Sequence, residues 1–354
     1  MTAFNIEKYI DSLPENIETI NISGKGLTVL PSLQRFHNLK ILNCEDNQLT
    51  YLPALNHSLK ELNCSRNRLT CLPELNHSLI ALNCGNNELT CLPALNHSLK
   101  FLYCYKNKLT CLPELNDSLT TLLCVKNQLT RLPALNRSLT TLECNYNRLT
   151  CLPELNHSLK YLECYNNQLT SLPKLNNSLQ ILYCSANQLT NLPELNVSLK
   201  SFSCSKNQLT CLPKLNDSLQ QLYCSNNQLT NLPEINDSLK ILICSYNQLT
   251  ILPEINDSLR TLFCAYNHFP PQLNYIDILT PTKKNEINHI TQLLQKVKFT
   301  FMCVKYKKQF RDWLWINVRL PMTQHKYHPN NLIMLLNDID DNDDDDFDNA
   351  INNW

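Results

Sequence analysis

The sequence predicts an α/β-type solenoid, a repeat protein made by stacking one small unit on itself. Three observations predict it. The pattern L-x-x-L-x-C-x-x-N-x-L occurs twelve times at an unbroken spacing of 20 residues, from Leu39 to Leu259, with Phe202 and Phe269 each standing in one leucine place. Inside each copy a run such as Leu62-Asn63-Cys64 alternates inward and outward, as a short strand does. Between copies, Leu-Pro and Asn-x-Ser recur with the same period, so turn chemistry falls at fixed places. With 3 glycines against 18 prolines in 354 residues, proline and asparagine are expected to fix those turns.

Residues 1–16 form an N-terminal segment, and residues 17–269 hold the repeats. Ile17, Ile20, Ile22, Leu27 and Leu30-Pro31 make a degenerate first copy with Lys25 in the asparagine slot, so about 13 units of 20 residues are expected. In one unit Leu59, Leu62, Cys64, Leu69, Leu72 and Leu75 are the apolar side chains available for burial. So few do not offset the backbone entropy of ordering the unit, so stacking must cover both of its open faces. The column Asn47, Asn67 and on to Asn267 lies among apolar neighbours. A buried amide there must be hydrogen-bonded, and it suits the backbone of its own turn and of the next rung.

The column Cys44, Cys64 and on to Cys264 suits small buried hydrophobes. In-register thiols on rungs ~4.8 Å apart point the same way, which fits neither disulfide geometry nor a zinc tetrahedron. A second column, Cys71, Cys91, Cys111, Cys151 and Cys211, is replaced elsewhere by Tyr51, Arg131, Ser171, Asn191, Asn231 and Ile251. A shared metal or disulfide role would not tolerate that set. The Asn-x-Ser triplets, Asn56-His57-Ser58 to Asn256-Asp257-Ser258, match the glycan acceptor pattern but are read as turns in which Asn and Ser bond local backbone. His57, His77, His97 and His157 form a solvated convex row. No cofactor and no metal are expected.

Residues 270–337 are expected to form a small helical module. Thr280-Pro281 makes a helix start. Ile287, Ile290, Leu294, Val297, Phe301 and Val304 then give one apolar stripe. A second helix is expected near Lys307 to Val318, with Trp313 and Trp315 buried. The module would cap the open Leu259–Leu262 end of the stack. Residues 338–354 form an acidic tail with eight Asp and no base, expected to be disordered.

The chain as a whole carries a net charge of +0, which excludes a global bias toward nucleic acid or anionic membrane. Locally, Lys283 to Lys326 holds ten Lys or Arg against Glu286 and Asp312. No basic-then-apolar leader occupies Met1 to Asn21, and no apolar run nears the ~20 residues that span a bilayer. The 18 cysteines are therefore read as free thiols in a reducing cytosol. No nucleophile with a base, no phosphate loop and no chelating cluster stands outside the structural columns, so no enzyme and no small-molecule substrate are expected.

The motif L-x-x-L-x-(L/C)-x-x-N-x-L followed by L-P, from Ile17 to about Phe269, resembles the leucine-rich repeat family. The resemblance implies a curved solenoid with a concave parallel β-sheet. The short unit with Leu-Pro is similar to that of bacterial effector proteins. Some of those carry a cysteine ubiquitin-ligase domain behind the repeats. Here Cys303-Val304-Lys305 lacks the aspartate two positions on that such ligases use, and no ligase activity is expected. Phe310-Arg311-Asp312-Trp313-Leu314-Trp315, Val318-Arg319-Leu320-Pro321 and Tyr327-His328-Pro329-Asn330-Asn331-Leu332 resemble a tail found on proteins of mimiviruses, giant viruses of amoebae. That resemblance implies a viral protein in the cytoplasm of an infected host cell.

Outward strand positions should form columns across the concave face. They bring Phe101, Tyr103, Tyr105, Tyr146, Tyr161, Tyr165 and Tyr183 beside Glu143 and Glu163. Exposed aromatics at this density have the composition of an interaction hot spot. Tyrosines stacked along a ladder also stabilise strands without any partner. The expected function is an intracellular scaffold that binds a protein on this face. The alternative is binding of nucleic acid or anionic lipid through Lys298, Lys305, Lys307, Lys308, Arg311 and Arg319, modulated by the acidic tail.

Overall fold

Each alternating run yields a strand of three residues whose middle side chain turns inward, from β1 (Thr19–Asn21) and β2 (Ile41–Asn43) to β13 (Thr261–Phe263). The structure is a computed structural model that describes residues 4–269, 282–296, 316–317 and 320. The thirteen strands lie in sequence order in one parallel sheet, which lines the concave face. From β2 onward every residue pairs with the one 20 positions later, as Leu42 with Leu62 and Asn43 with Asn63. Identical unit length keeps the register, so like positions stack on like. Behind the sheet, Leu42, Leu62 and Leu82 join Cys44, Cys64 and Cys84 and the returning Leu49, Leu69 and Leu89 in one continuous core.

The amide column works as a ladder. Asn67 Nδ2 donates to the carbonyls of Cys64 at 3.1 Å and of Cys44, one rung back, at 3.0 Å. Its Oδ1 accepts from Leu49 N, also one rung back, at 2.9 Å. Asn267 repeats this with Cys264, Cys244 and Leu249. The reach is toward the preceding rung, whereas the sequence was read as pointing to the next one. That direction explains the first unit: no earlier repeat stands before it for an amide to serve, and Lys25 can occupy its slot. The Asn-x-Ser asparagines differ from expectation in the same way. Asn76 Nδ2 donates to Leu59 O of the preceding unit at 2.9 Å, while only a few bond within their own turn, such as Asn256, whose Oδ1 accepts from Leu259 N at 2.7 Å.

Proline and asparagine do not fix the turns alone. The residue before each ladder asparagine is left-handed, with φ between 50° and 57° from Lys106 to Asp46 and Tyr266. Twelve non-glycine residues hold this conformation, among them Arg66, Tyr146 and Ala186. In the first unit the slot is Gly24, φ 64°. The strand-like bonding continues through the slot, as in Arg66 N to Gly85 O at 2.9 Å, and holds the backbone there.

Both ends of the stack are covered. Helix α1 (Ile6–Ser12) is capped by Asn5, whose side chain accepts from Lys8 N at 2.9 Å. Ile6, Tyr9, Ile10 and Leu13 on one face of it meet the core. This helix was not anticipated, although Asn5 and the i, i+3, i+4, i+7 spacing signal it. Helix α2 runs over residues 282–296, and its part up to Thr291 covers the last unit. Ile287 enters the core, and Asn288 bonds both Ile255 N at 2.8 Å and Ile255 O at 3.0 Å. Lys284 Nζ donates to Asp257 O at 2.6 Å. Ile290 and Leu294 share the expected stripe, joined by the buried Thr291. The chain divides into two compact units, Met1–Thr291 and Gln292–Trp354. The second helix, the basic residues Lys298, Lys305, Lys307, Lys308, Arg311 and Arg319, the 327–332 motif and the acidic tail lie outside the described residues.

Candidate interaction site on the concave face

The register sets the site. Tyr103 of β5 (Phe101–Tyr103) pairs with Leu123, Leu123 with Glu143 of β7 (Thr141–Glu143), Glu143 with Glu163 of β8 (Tyr161–Glu163), and Glu163 with Tyr183 of β9 (Ile181–Tyr183). All five side chains face outward and are half-buried. The expected residues therefore fall into two groups. Phe101, Tyr103 and Tyr105 stand on one unit. Glu143, Tyr146, Tyr161, Glu163, Tyr165 and Tyr183 form a cluster that begins two rungs further on, ~10 Å away. Thr121, Leu123 and Val125 lie between the groups.

In the cluster, Glu163 is held from two sides. Its Oε2 accepts from Asn145 Nδ2 at 2.8 Å, and its Oε1 accepts from the Tyr161 hydroxyl. Glu143 lies beside it with no hydrogen-bond partner for its carboxylate among the described residues. Burial first, and then the Glu163 charge, hold the Glu143 carboxyl above its ordinary value. Burial also pushes the Tyr161 and Tyr165 hydroxyls up, and the Tyr161 hydrogen bond to Glu163 adds to that. The ion pairs of the described residues, Lys40–Glu18, Arg66–Glu45 and Lys108–Glu88, leave both carboxylates out.

The tyrosines also pack on one another. Tyr146 meets Tyr165 edge-on with centroids 5.4 Å apart, and Tyr161 meets Tyr183 edge-on at 6.3 Å. Lys126 Nζ lies over the Tyr146 ring, 5.1 Å from its centroid. Tyr105 lies over Gly85 of the preceding rung, where a Cβ would run into its ring. Tyr105 and each tyrosine of the cluster thus have a structural contact, while Phe101 and Tyr146 keep 37% and 44% of their surface exposed. Sequence reading passed over Asn145, which is 2% exposed, and Gly85. Both stand in the column Glu45, Ser65, Gly85, Tyr105, Val125, Asn145, Tyr165, where their neighbours' size could have drawn notice. A further pair, Tyr246 and Tyr266, stacks at 4.2 Å near the last strand.

Burial keeps the thiols of the inner column protonated at neutral pH. Burial pushes Cys44, Cys84, Cys124, Cys184 and Cys264 up to about 12. Cys71, Cys91, Cys111, Cys151 and Cys211 are exposed and free. Among the described residues no group of three or more His, Cys, Asp or Glu is placed to hold a metal ion, and no helix is long and apolar enough to cross a membrane.

The fold is similar to that of YopM from Yersinia enterocolitica WA-314, with TM-score 0.71 and 37% identity over 73% of this chain and 58% of that one. It is also similar to YopM from Yersinia pestis, a leucine-rich effector protein, with TM-score 0.64 and 35% identity over 73% of this chain and 81% of that one. A third similar structure is the functional domain of InlJ from Listeria monocytogenes, which includes a cysteine ladder. There the TM-score is 0.55 and the identity 27%, over 71% of this chain and 63% of that one. This chain thus spans less than two thirds of the Yersinia enterocolitica YopM and of the InlJ domain. No protein-family model matches the chain, and no curated protein matches it by sequence.

Proposed function

Because this chain belongs to the leucine-rich repeat family, we propose that it is a scaffold without chemistry of its own that captures a protein partner on its concave face. One observation carries the reading. Half-exposed aromatic rings gather around two carboxylates on the outward positions of the sheet, a composition that favours protein contact over solvent. The rigidity of the register supports it, since a preorganised surface loses little entropy on binding. The resemblance of the 310–332 segment to mimivirus proteins supports capture in the cytoplasm of an infected host cell, where the buried thiol column stays reduced.

The test is capture from amoeba lysate by the tagged chain, wild type beside a Tyr103→Ala, Tyr105→Ala, Tyr165→Ala variant. Circular dichroism checks that the variant keeps its fold. The partner held by the wild type is expected to be lost from the variant. Equal capture by both would overturn the concave-face reading.

A further inference from the structure

We propose that the Glu143–Glu163 pair is the receptor for the guanidinium group of an arginine side chain, so that the captured partner presents an arginine to β7 and β8. The proposal rests on the concave-face reading and narrows it to one ligand chemistry.

Four observations converge on it. The first is spacing: Glu143 and Glu163 are register partners, so their backbones stand ~4.8 Å apart and their carboxylates leave the sheet side by side. The second is imbalance. Two partly desolvated carboxylates share this place, and no cation of the described residues pairs with either. Like charges so placed oppose each other until a positive group arrives.

The third observation is the fixed setting of Glu163. Asn145 is 2% exposed, and its Nδ2 holds Glu163 Oε2 at 2.8 Å. Its Oδ1 is buried and has no hydrogen-bond partner. Turning the amide over would set its oxygen against the Glu163 carboxylate, so the orientation is fixed. The site therefore offers the acceptor oxygens of two carboxylates, one of them held in place, and a guanidinium carries five N–H donors and no acceptor. The fourth is the rings. Tyr146, Tyr161 and Tyr165 frame the pair, and Tyr146 already carries the Lys126 ammonium over its face. Aromatic faces suit a cation, and guanidinium stacks on them more readily than ammonium does. A planar fork also reaches two neighbouring carboxylates at fixed angles, which a lysine point charge does not.

The experiment is a fluorescence anisotropy titration of the full chain with a labelled peptide of alternating glycine and arginine, beside its lysine counterpart. The variants are Glu143→Gln alone, Glu143→Gln with Glu163→Gln, and Glu61→Gln, which removes an exposed carboxylate elsewhere on the concave face. The acidic tail attracts the peptide equally in all of them, so only the difference between variants counts. The double variant is expected to bind the arginine peptide about tenfold more weakly, and Glu143→Gln about threefold more weakly. Glu61→Gln should bind as the wild type does. Thermal unfolding confirms that each variant is folded, and the single isosteric change keeps the test open if the double variant is not. Equal affinity of wild type and double variant would overturn the proposal, as would a lysine peptide that binds as tightly as the arginine one. Tyrosine-dependent partner capture together with a failed peptide titration would remove this inference and leave the scaffold reading standing.

Discussion

A carboxylate gains nothing from standing beside another one, so Glu143 has a cost that shows in its titration. Its carboxyl is raised above the ordinary value by burial and by Glu163. The native state therefore takes up this proton more readily than the unfolded chain does. The stability this proton brings is present below the unfolded value and is lost as pH rises through the raised folded one. Facing groups are Glu163, with its Tyr161 and Asn145 donors, and Lys126 across the Tyr146 ring. Glu143→Gln should accordingly stabilise the protein at pH 7 by about a few tenths of a kcal/mol, kept small by the half-exposed setting. Near pH 4 the gain should vanish. Urea unfolding at both pH values checks this, and a variant less stable at pH 7 would refute it. The two glutamates were legible in the sequence, because alternation within a strand assigns every outward position. Asn145 was not. Its burial depends on the large Tyr146 and Tyr165 beside it, and no periodicity reports on neighbour size at one position.

At the scale of the repeat unit, the period gave strand, core face and amide column, because each is tied to a constant residue type. The left-handed slot was hidden because its occupants vary: Asp46, Arg66, Asn86, Lys106 and Ala186 share a backbone and no chemistry. Only Gly24, in the same slot of the first unit, hinted at it. The hydrogen bonds on either side impose the conformation, and a residue with a Cβ is strained by ~1–2 kcal/mol there. Ala186→Gly should therefore stabilise the protein by about 0.5–1 kcal/mol, once the greater freedom of glycine in the unfolded chain is set against the relief. Denaturant midpoints of the two proteins decide the matter. No rise in midpoint would mean that the ladder has absorbed the strain.

Over the whole molecule, thirteen strands in one register make every column a continuous row, and the rows have very different access to solvent. Cys71, Cys91, Cys111, Cys151 and Cys211 should react with a thiol reagent in the native protein at pH 8. The row from Cys44 to Cys264 should react only after unfolding, since its thiols are buried and held protonated. Peptide mass mapping reads the result, and native labelling of Cys144 at the rate of Cys111 would contradict it. The buried row was legible as a constant column in the sequence. The closing helices were legible only in part: the Ile287 stripe announced α2, whereas α1 is too short for its spacing to stand out. The amide ladder also gives the stack a direction. Every asparagine completes the backbone of the unit before it, so a unit is finished by the arrival of its successor. For a chain leaving the ribosome N-terminus first, each 20 residues synthesised deliver the group that closes the turn already made. Assembly can then follow translation rung by rung, with one incomplete end at any moment until α2 emerges to cover the last.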